Sequence, residues 1–172
     1  MFDRNLSKMP NMQHRIVVSE VSNAAIVEDL FRRKFMCAPP DVEHHVVVFH
    51  MDSWRRLTPL TYVHFRPFGD IALVGGACTD GDALRALPTD AKTAIIPENS
   101  CYLRALRWGF DRFGQRFDAI FGYCGDARAL AVNLQAGFIQ TPHPYLLVFW
   151  PKPLHENIQR ALLAKANALG PF

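Results

Sequence analysis

AIFGYC (residues 119–124), followed directly by GDARALAVNLQAGF (residues 125–138), is the stretch that decides the fold of this chain. The first six residues form a short apolar run typical of a buried strand. Asp126 is a preferred N-cap residue for a helix, and Gly137 is the residue type that ends helices in the left-handed conformation. The stretch therefore predicts a strand, a helix and a Gly-Phe turn, in that order.

Upstream, the sequence predicts a strand and an amphipathic helix. Residues 15–19 have strand composition, and Ser22 is a candidate N-cap for the helix that follows. We expect this helix to end before Pro39, which cannot continue it. Its apolar positions follow the spacing i, i+3, i+4, i+8, at Val27, Leu30, Phe31 and Phe35.

Three runs of β-branched and aromatic residues then predict neighbouring strands, at residues 46–49, 60–65 and 71–78. Residues 66–70 have the composition of a hairpin turn. Gly69 can adopt a positive φ there, and Pro67 is expected outside the central strand because it lacks an N–H group. An antiparallel meander follows.

The next segment contains weaker signals. Residues 83–87 are consistent with a helical turn, and residues 93–96 with a fourth strand. Asn99 or Ser100 is then a cap for a helix with one apolar stripe. This stripe consists of Leu103, Leu106, Phe110 and Phe113, and the last predicted elements are a strand at residues 145–150 and a helix at residues 154–169.

This order of elements predicts an α+β fold, with a mixed, largely antiparallel sheet flanked by helices and one parallel crossover in its second half. The 172 residues, 49% hydrophobic and 20% charged, suit a single domain with one substantial core. We expect its body at about residues 15–151 and an added C-terminal helix at about residues 154–169. That helix is a candidate to cover a sheet edge or to form a homodimer.

Composition narrows the class of protein. The formal charge of +3 leans toward anionic ligands, but the basic residues are scattered rather than clustered. The longest apolar runs are much shorter than the roughly 20 residues that a membrane-spanning helix needs, so no membrane partner is expected. The four cysteines are far apart, without a CxxC pair, and no secretory leader is recognisable, which favours a reduced, cytoplasmic protein.

The strand, helix and Gly-Phe order resembles the end of the GNAT N-acetyltransferase fold. In that family a small polar residue opens the helix eleven positions before the Gly, as Asp126 does, and Ala129 matches a following Ala. The position at which many members carry a Tyr, the general acid toward the thiolate of coenzyme A, is Asn133 here. An amide is not a proton donor of useful acidity.

A second family landmark is altered. GNAT enzymes hold the coenzyme A pyrophosphate with an RxxGxG/A loop at a helix start, where backbone N–H groups are free. This sequence has IIPENSCY at residues 95–102 instead. That entrance is similar to a phage-type group of GNAT proteins, including relatives of the Mom DNA-modification protein, and the helix start still supplies unpaired amides.

The resemblance implies an acyltransferase that moves an acetyl or related acyl group from acetyl-CoA, or another acyl-CoA, to an amine by direct attack. The cleft would lie between residues 71–79 and 119–124. Tyr123 and Asp126 are the candidate catalytic pair, with Tyr123 as the proton donor. The candidate cofactor-binding residues are Ala77, Cys78, Thr79, Asn99, Ser100, Cys101 and Asn133.

Two alternatives remain open from the sequence. A catalytically inactive GNAT-fold binding module fits the missing glycines and the missing Tyr. Mom-like modification of a nucleic-acid base fits the phage-type entrance, with nucleic acid as a weaker candidate partner than a small-molecule or macromolecular amine. The residues at 54–56, with Arg66, are a basic and aromatic group that could contact phosphates.

Three other groups are candidate reactive sites. His44, His50 and His64 could face one another across a hairpin as a zinc cluster, but no further ligand pattern supports a metal, and none is expected. Cys124 could be a nucleophile with His143 or His50 as base, yet an isolated Cys among aromatic residues is more often core. His143, between two prolines, is a candidate substrate contact.

Overall fold

The computed structural model describes residues 14–95 and 100–172. Within them, seven strands form one sheet in the order β1-β2-β3-β4-β5-β7-β6. All neighbouring pairs are antiparallel except β4 and β5, which are parallel. The strands are β1 (Arg15–Val21), β2 (His44–Met51), β3 (Leu57–Phe68), β4 (Ile71–Thr79), β5 (Ala119–Tyr123), β6 (Ile139–Gln140) and β7 (Leu146–Phe149).

Helices cover both faces of this sheet. They are α1 (Glu28–Phe35), α2 (Gly81–Ala86), α3 (Thr89–Ile95), α4 (Cys101–Phe113), α5 (Ala127–Ala136) and α6 (Glu156–Ala168). Short 3₁₀ turns precede α1, at Ala25–Val27, and follow α4, at Gly114–Arg116. The predicted α+β class, with a mixed and largely antiparallel sheet, is confirmed.

The sheet separates two hydrophobic layers. On one face, here called the α4 face, Leu106, Phe110 and Phe113 of the predicted α4 stripe pack onto the strands together with Leu130 and Val132 of α5. On the other, the α1 face, α1 covers β2 and β3, and α6 covers β4, β5 and β7. Leu162 and Ala166 of α6 lie against the sheet, so this helix covers a sheet face rather than the edge that the sequence suggested.

Two predictions before α4 are wrong. Residues 93–95 belong to helix α3, not to a fourth strand, and residue 96 lies outside the described residues. A short apolar run does not distinguish helix from strand by itself, and Pro88 with Asp90 at the start of α3 favours the helix. Ser22 does not cap the first helix, because the Asn23 side chain accepts from the Ala25 N–H instead.

Pro67 lies inside β3, opposite Ala72, although the sequence placed it in the turn. The pairing between β2 and β3 ends at Phe65, so at Pro67 strand β3 has β4 as its one neighbour. The N–H group that proline lacks is therefore not needed for a bond to β2. The turn itself is at Gly69, with a φ of +64°, as expected. The caps predicted for the later helices are confirmed: Ser100 accepts from Leu103 N–H and Asp126 from Ala129 N–H.

All four cysteines are free thiols. Among the described residues, no helix has both the length and the hydropathy that a membrane span requires.

Candidate functional site

The parallel strands β4 and β5 diverge about halfway along β4. The two strands are in register from Ile71 opposite Ala119 to Val74 opposite Gly122. Beyond that point β5 ends at Tyr123, whereas β4 continues to Thr79. The backbone of residues 75–77 is therefore left beside a cleft instead of a neighbouring strand.

A β-bulge in β4 lies at this opening. Tyr62 faces Cys78 and His64 faces Gly75, so two residues of β4, Gly76 and Ala77, oppose one residue of β3. Gly76 has a φ of +60°, and a Cβ there would be 2.7 Å from the His64 ring and 2.9 Å from Phe31. Only glycine fits this position, because both the backbone and the available space exclude a side chain.

The cleft has a volume of about 490 Å³ and extends between the two faces of the sheet. Its rim on the α1 face includes Lys34, Phe35 and Phe172, and α5 contributes Arg128 and Ala129. The remaining lining residues are Val74, Gly75, Gly76, Ala77, Tyr102, Gly122, Tyr123, Cys124, Gly125, Asp126 and Asn133.

On the α4 face, a phenol and an amide meet inside the cleft. The Tyr102 hydroxyl, from the first turn of α4, donates to Asn133 Oδ1 of α5 at 2.9 Å. Asn133 is buried. Burial raises the pKa of Tyr102 above its ordinary value, so this phenol stays protonated near neutral pH. A protonated phenol thus lies beside Asn133.

The sequence-predicted catalytic pair also lines the cleft, in two different settings. Tyr123 points to the α1 face, where its ring packs near Tyr145 and Phe172 at centroid distances of 5.9 and 6.1 Å. Asp126 is exposed, and its carboxylate accepts from Ala129 N–H at 2.8 Å as the cap of α5. Both side chains are accessible from the cleft.

The predicted cofactor-binding residues separate into two groups. Ala77 and Asn133 line the cleft. The Cys78 side chain is buried in the α1-face core, Thr79 hydrogen-bonds Thr61, and Cys101 is buried in the α4-face core. Ser100 caps α4, and Asn99 lies outside the described residues.

A chain of polar side chains lies beneath the bulge on the α1 face. The Tyr62 hydroxyl is 2.8 Å from His45 Nδ1 and 3.5 Å from His64 Nδ1. Tyr62 is fully buried, whereas His64 is only partly buried. Burial, together with the nearby His45 and Arg66, lowers the pKa of His64 to about 4, so the ring is neutral at pH 7.

A second cavity, of about 530 Å³, lies on the other side of the turn at residues 124–126. His143 lines it, beside the main cleft, as the sequence suggested for a substrate contact. Cys124 borders both cavities, and its thiol donates to the Asp126 carbonyl oxygen at 3.3 Å.

The histidines proposed as a cluster are divided between the two faces. His44 stacks on Phe113 on the α4 face, and its Nδ1 is 2.6 Å from Glu20. His64 lies on the opposite face, because it pairs across the strands with His45 rather than with His44. No group of three metal-ligating side chains converges in the described ranges.

The basic and aromatic group is also dispersed. The turn at residues 54–56 is organised by Asp52, whose carboxylate accepts from Trp54 N–H and Arg56 N–H. Arg66 lies near the other end of β3, ten residues beyond Arg56, which is about 30 Å along a strand. These cations do not form one patch.

Sequence reasoning missed Tyr102 and undervalued His64. Tyr102 directly follows the Ser100-Cys101 helix start, so the sequence predicts its position in the first turn of α4. Its hydrogen-bond partner, Asn133, is 31 residues away and could not be predicted from a local pattern. For His64, a usable signal was the adjacent pair Gly75-Gly76 in a strand, which indicates a bulge or a close approach.

The sequence matches no protein-family model and no curated protein. Solved structures do match its fold. The ribosomal-protein-S18-alanine N-acetyltransferase from Escherichia coli superposes with a TM-score of 0.54 at 10% identity, over 83% of this chain and 98% of that one. N-acetylglutamate synthase from Neisseria gonorrhoeae, complexed with coenzyme A and L-arginine, gives 0.52 at 11% identity, over 78% of this chain.

This chain spans only 33% of the length of the Neisseria structure. A Pyrococcus horikoshii structure with a TM-score of 0.49 is likewise covered over 44% of its length. At these identities the likeness concerns the fold alone. The chain has the fold of the GNAT N-acetyltransferases.

Proposed function

We propose that this protein transfers an acyl group from an acyl-CoA, acetyl-CoA being the first candidate, to an amine by direct attack in the cleft between β4 and β5. One observation carries this proposal: the two strands part beside a bulge, and a protonated phenol faces the opening. The two solved structures above bear N-acetyltransferase and acetylglutamate synthase names, and the second holds coenzyme A.

The cleft suits an extended thioester. The backbone of residues 75–77, Ala77 included, is available to hydrogen-bond the pantetheine arm. The arm would occupy the place of a neighbouring strand. The start of α4, at Ser100 and Cys101 with Asn99 before it, supplies backbone N–H groups for the pyrophosphate, so the buried Cys101 side chain would take no part. Bound there, acyl-CoA supplies an activated carbonyl carbon and a thiolate leaving group.

The leaving thiolate needs a proton, and two phenols can supply it. Tyr102 is the stronger candidate, because its hydroxyl already lies in the cleft and is held there by Asn133. Tyr123 is the second candidate, on the α1 face. We assign Asp126 the role of orienting the amine or a water molecule at the outer rim, since it borders both cavities.

Binding of acetyl-CoA is the first test, by thermal shift or calorimetry, because a ligand of the native state raises its stability. We expect stabilisation of the unmodified protein and its loss in Ala129→Trp, which fills the cleft. Ala164→Trp, on the exposed surface of α6, is the matched control and should keep the shift. No stabilisation at millimolar acetyl-CoA contradicts the proposal.

The catalytically inactive binding module has its own support, since Asn133 replaces the family's Tyr and the glycine run is missing. It predicts binding of acetyl-CoA, or of another ligand, without release of free thiol in the presence of any amine. Mom-like base modification predicts DNA binding that weakens with salt. Binding that is absent or insensitive to salt removes it.

A further inference from the structure

We propose that residues 170–172, here called the Gly-Pro-Phe plug, close the opening of the cleft on the α1 face and can be displaced from it. The closure itself is a property of the folded chain. Its consequence rests on the proposed acyl transfer, because an acceptor larger than a small amine would reach the acyl carbon from this face only after the plug has moved. The proposal follows from the position of Phe172, from its few attachments and from the glycine that precedes it.

Phe172 covers the point at which β4 and β5 diverge. The last residues paired between the two strands are Val74 and Gly122, so Gly75 and Tyr123 are the first on either side of the gap. The Phe172 carbonyl oxygen is 3.3 Å from the position that a Cβ on Gly75 would take, and the Phe172 ring meets the Tyr123 ring edge-on, at 6.1 Å between centroids. Phe172 therefore spans the gap on the α1 face, and it lines the cleft.

The neighbouring part of this face is closed by fixed elements. A Cβ on Gly76 would be 2.7 Å from the His64 ring and 2.9 Å from the Phe31 ring, so these two side chains cover the bulge. Phe31 belongs to α1, and His64 belongs to the part of β3 that pairs with β2. Phe172, by contrast, lies beyond the end of α6. Of the three residues, it is the one that can leave without unravelling a helix or a strand.

Few contacts hold the plug in place. At its start, the Gly170 N–H group donates to the Asn167 carbonyl oxygen at 3.2 Å. Within residues 14–95 and 100–172, no hydrogen bond or ion pair involves Pro171 or Phe172. The Phe172 ring packs against the core beneath α6 but remains partly exposed. Its transfer to water therefore costs less than that of a fully buried phenylalanine, so the closure is reversible.

Gly170 supplies a hinge for this movement. Its φ is +72°, and nothing lies within 4 Å of the position that its Cβ would take. Glycine adopts several backbone conformations at similar energy, and here no neighbouring atom restricts the choice. Pro171 follows, with a φ that is fixed by its ring. Rotation at Gly170 would therefore move Pro171 and Phe172 together, as one short arm.

The plug affects one side of the cleft. The start of α4, where we place the pyrophosphate, and the bonded pair Tyr102 and Asn133 lie toward the α4 face. Phe172 packs in the opposite layer, which contains Leu73 and Phe121. Acetyl-CoA should therefore bind with the plug in place, whereas the α1 face is closed over Gly75 until the plug is displaced.

Labelling of a thiol placed beneath the plug tests the closure directly. Tyr123→Cys introduces a thiol under the Phe172 ring, and its rate of reaction with N-ethylmaleimide is measured by peptide mass spectrometry under native conditions. Adding Phe172→Ala should raise this rate about tenfold, because the thiol no longer depends on local opening of the plug. Cys37, which is exposed, and Cys101, which is buried, are internal controls and should keep their rates.

Two outcomes of the labelling contradict the proposal. Equal rates at position 123 with and without Phe172→Ala would mean that the plug does not cover the cleft. A matching rise at Cys101 would mean that Phe172 serves only to stabilise the fold. The experiment needs neither cofactor nor acceptor, so its result does not depend on the proposed acyl transfer.

Acyl transfer supplies the second arm. Phe172→Ala should keep the thermal shift with acetyl-CoA and raise kcat/KM for a lysine-containing peptide about tenfold. For methylamine it should change kcat/KM by less than about twofold, because only the larger amine needs the open form. Leu169→Ala is the matched control, since its side chain is 38% exposed and does not line the cleft.

Equal effects of Phe172→Ala on the two amines, or no effect on either, contradict the proposal. Failure of acetyl-CoA to bind overturns the proposed function instead, and the labelling experiment then still decides whether the plug covers the cleft.

Discussion

The Tyr102 hydroxyl of α4 donates a hydrogen bond to the side-chain oxygen of Asn133 in α5, at a distance of 2.9 Å. The bond joins the two helices where both line the cleft. The two residues are 31 positions apart, and the amide occupies the helix position where GNAT proteins often carry a Tyr. The phenol has thus been supplied by the neighbouring helix α4, while α5 keeps a group that orients it. This part of the cleft therefore contains a phenol although position 133 holds an amide.

Replacing Tyr102 by Phe should lower acyl transfer by roughly 10²–10⁴-fold, the usual contribution of a positioned acid, while acetyl-CoA binding persists. Release of free thiol with a primary amine measures the first effect, and thermal shift the second. Tyr145→Phe, with a side chain 58% exposed, is the control. If Tyr123→Phe lowers acyl transfer more than Tyr102→Phe does, Tyr123 and not Tyr102 is the proton donor.

Replacing Gly76 by Ala should destabilise the protein by about 2–5 kcal/mol, because the φ of +60° disfavours a side chain and the Cβ would be 2.7 Å from the His64 ring. Gly170→Ala is the matched control. It has a φ of +72° but nothing within 4 Å of its Cβ position, so it should cost only about 1 kcal/mol.

Urea unfolding of the two alanine variants measures both values. Equal destabilisation would mean that the bulge relaxes away from His64 and that the close packing assigned to this wall of the cleft is wrong.

Acidification should destabilise the protein partly through His64. Its pKa is lowered from 6.5 to about 4 in the folded state, mainly by burial. Between these two pH values the unfolded chain binds a proton that the folded protein does not, so the free energy of unfolding falls as the pH falls. The full contribution is about 3 kcal/mol, present above pH 6.5 and lost progressively toward pH 4.

His64→Gln should therefore show a flatter dependence of stability on pH than the unmodified protein over this window, as measured by urea unfolding at several pH values. The other titrating groups are common to both proteins and cancel in the comparison. Parallel curves would mean that folding does not lower the pKa of His64.

Gly109, in the interior of α4, should not tolerate Ala. Helix propensity alone favours Ala by about 1 kcal/mol, but a Cβ at this position would be 2.1 Å from the fully buried Phe65 ring. We expect a net loss of about 1–3 kcal/mol from the forced displacement.

Gly114→Ala, at the end of the same helix, meets only Pro151 at 3.4 Å and should change stability by less than about 0.5 kcal/mol. Thermal unfolding of both variants checks the pair. A stabilised Gly109→Ala variant would show that α4 does not pack so closely on β3.

Local signals predicted much of this fold. Asp126 and Gly137 marked the two ends of α5, and the α4 stripe was readable because a helical period has one face to bury. The errors occurred where a local pattern was ambiguous or a neighbour decided the outcome. Residues 93–95 suit helix and strand alike, and Pro67 fits β3 only because β2 ends two residues earlier.

For the candidate site, the family resemblance of the sequence predicted a cleft between β4 and β5, and Tyr123, Asp126, Ala77 and Asn133 line the cleft found there. Only the tertiary structure decided which side chains converge there. Tyr102 reaches Asn133 because α4 and α5 pack side by side on one face, and His64 reaches Gly75 because the register and bulge of β3 and β4 oppose them. Such contacts depend on register and on the packing of distant elements, which no local pattern of residues encodes.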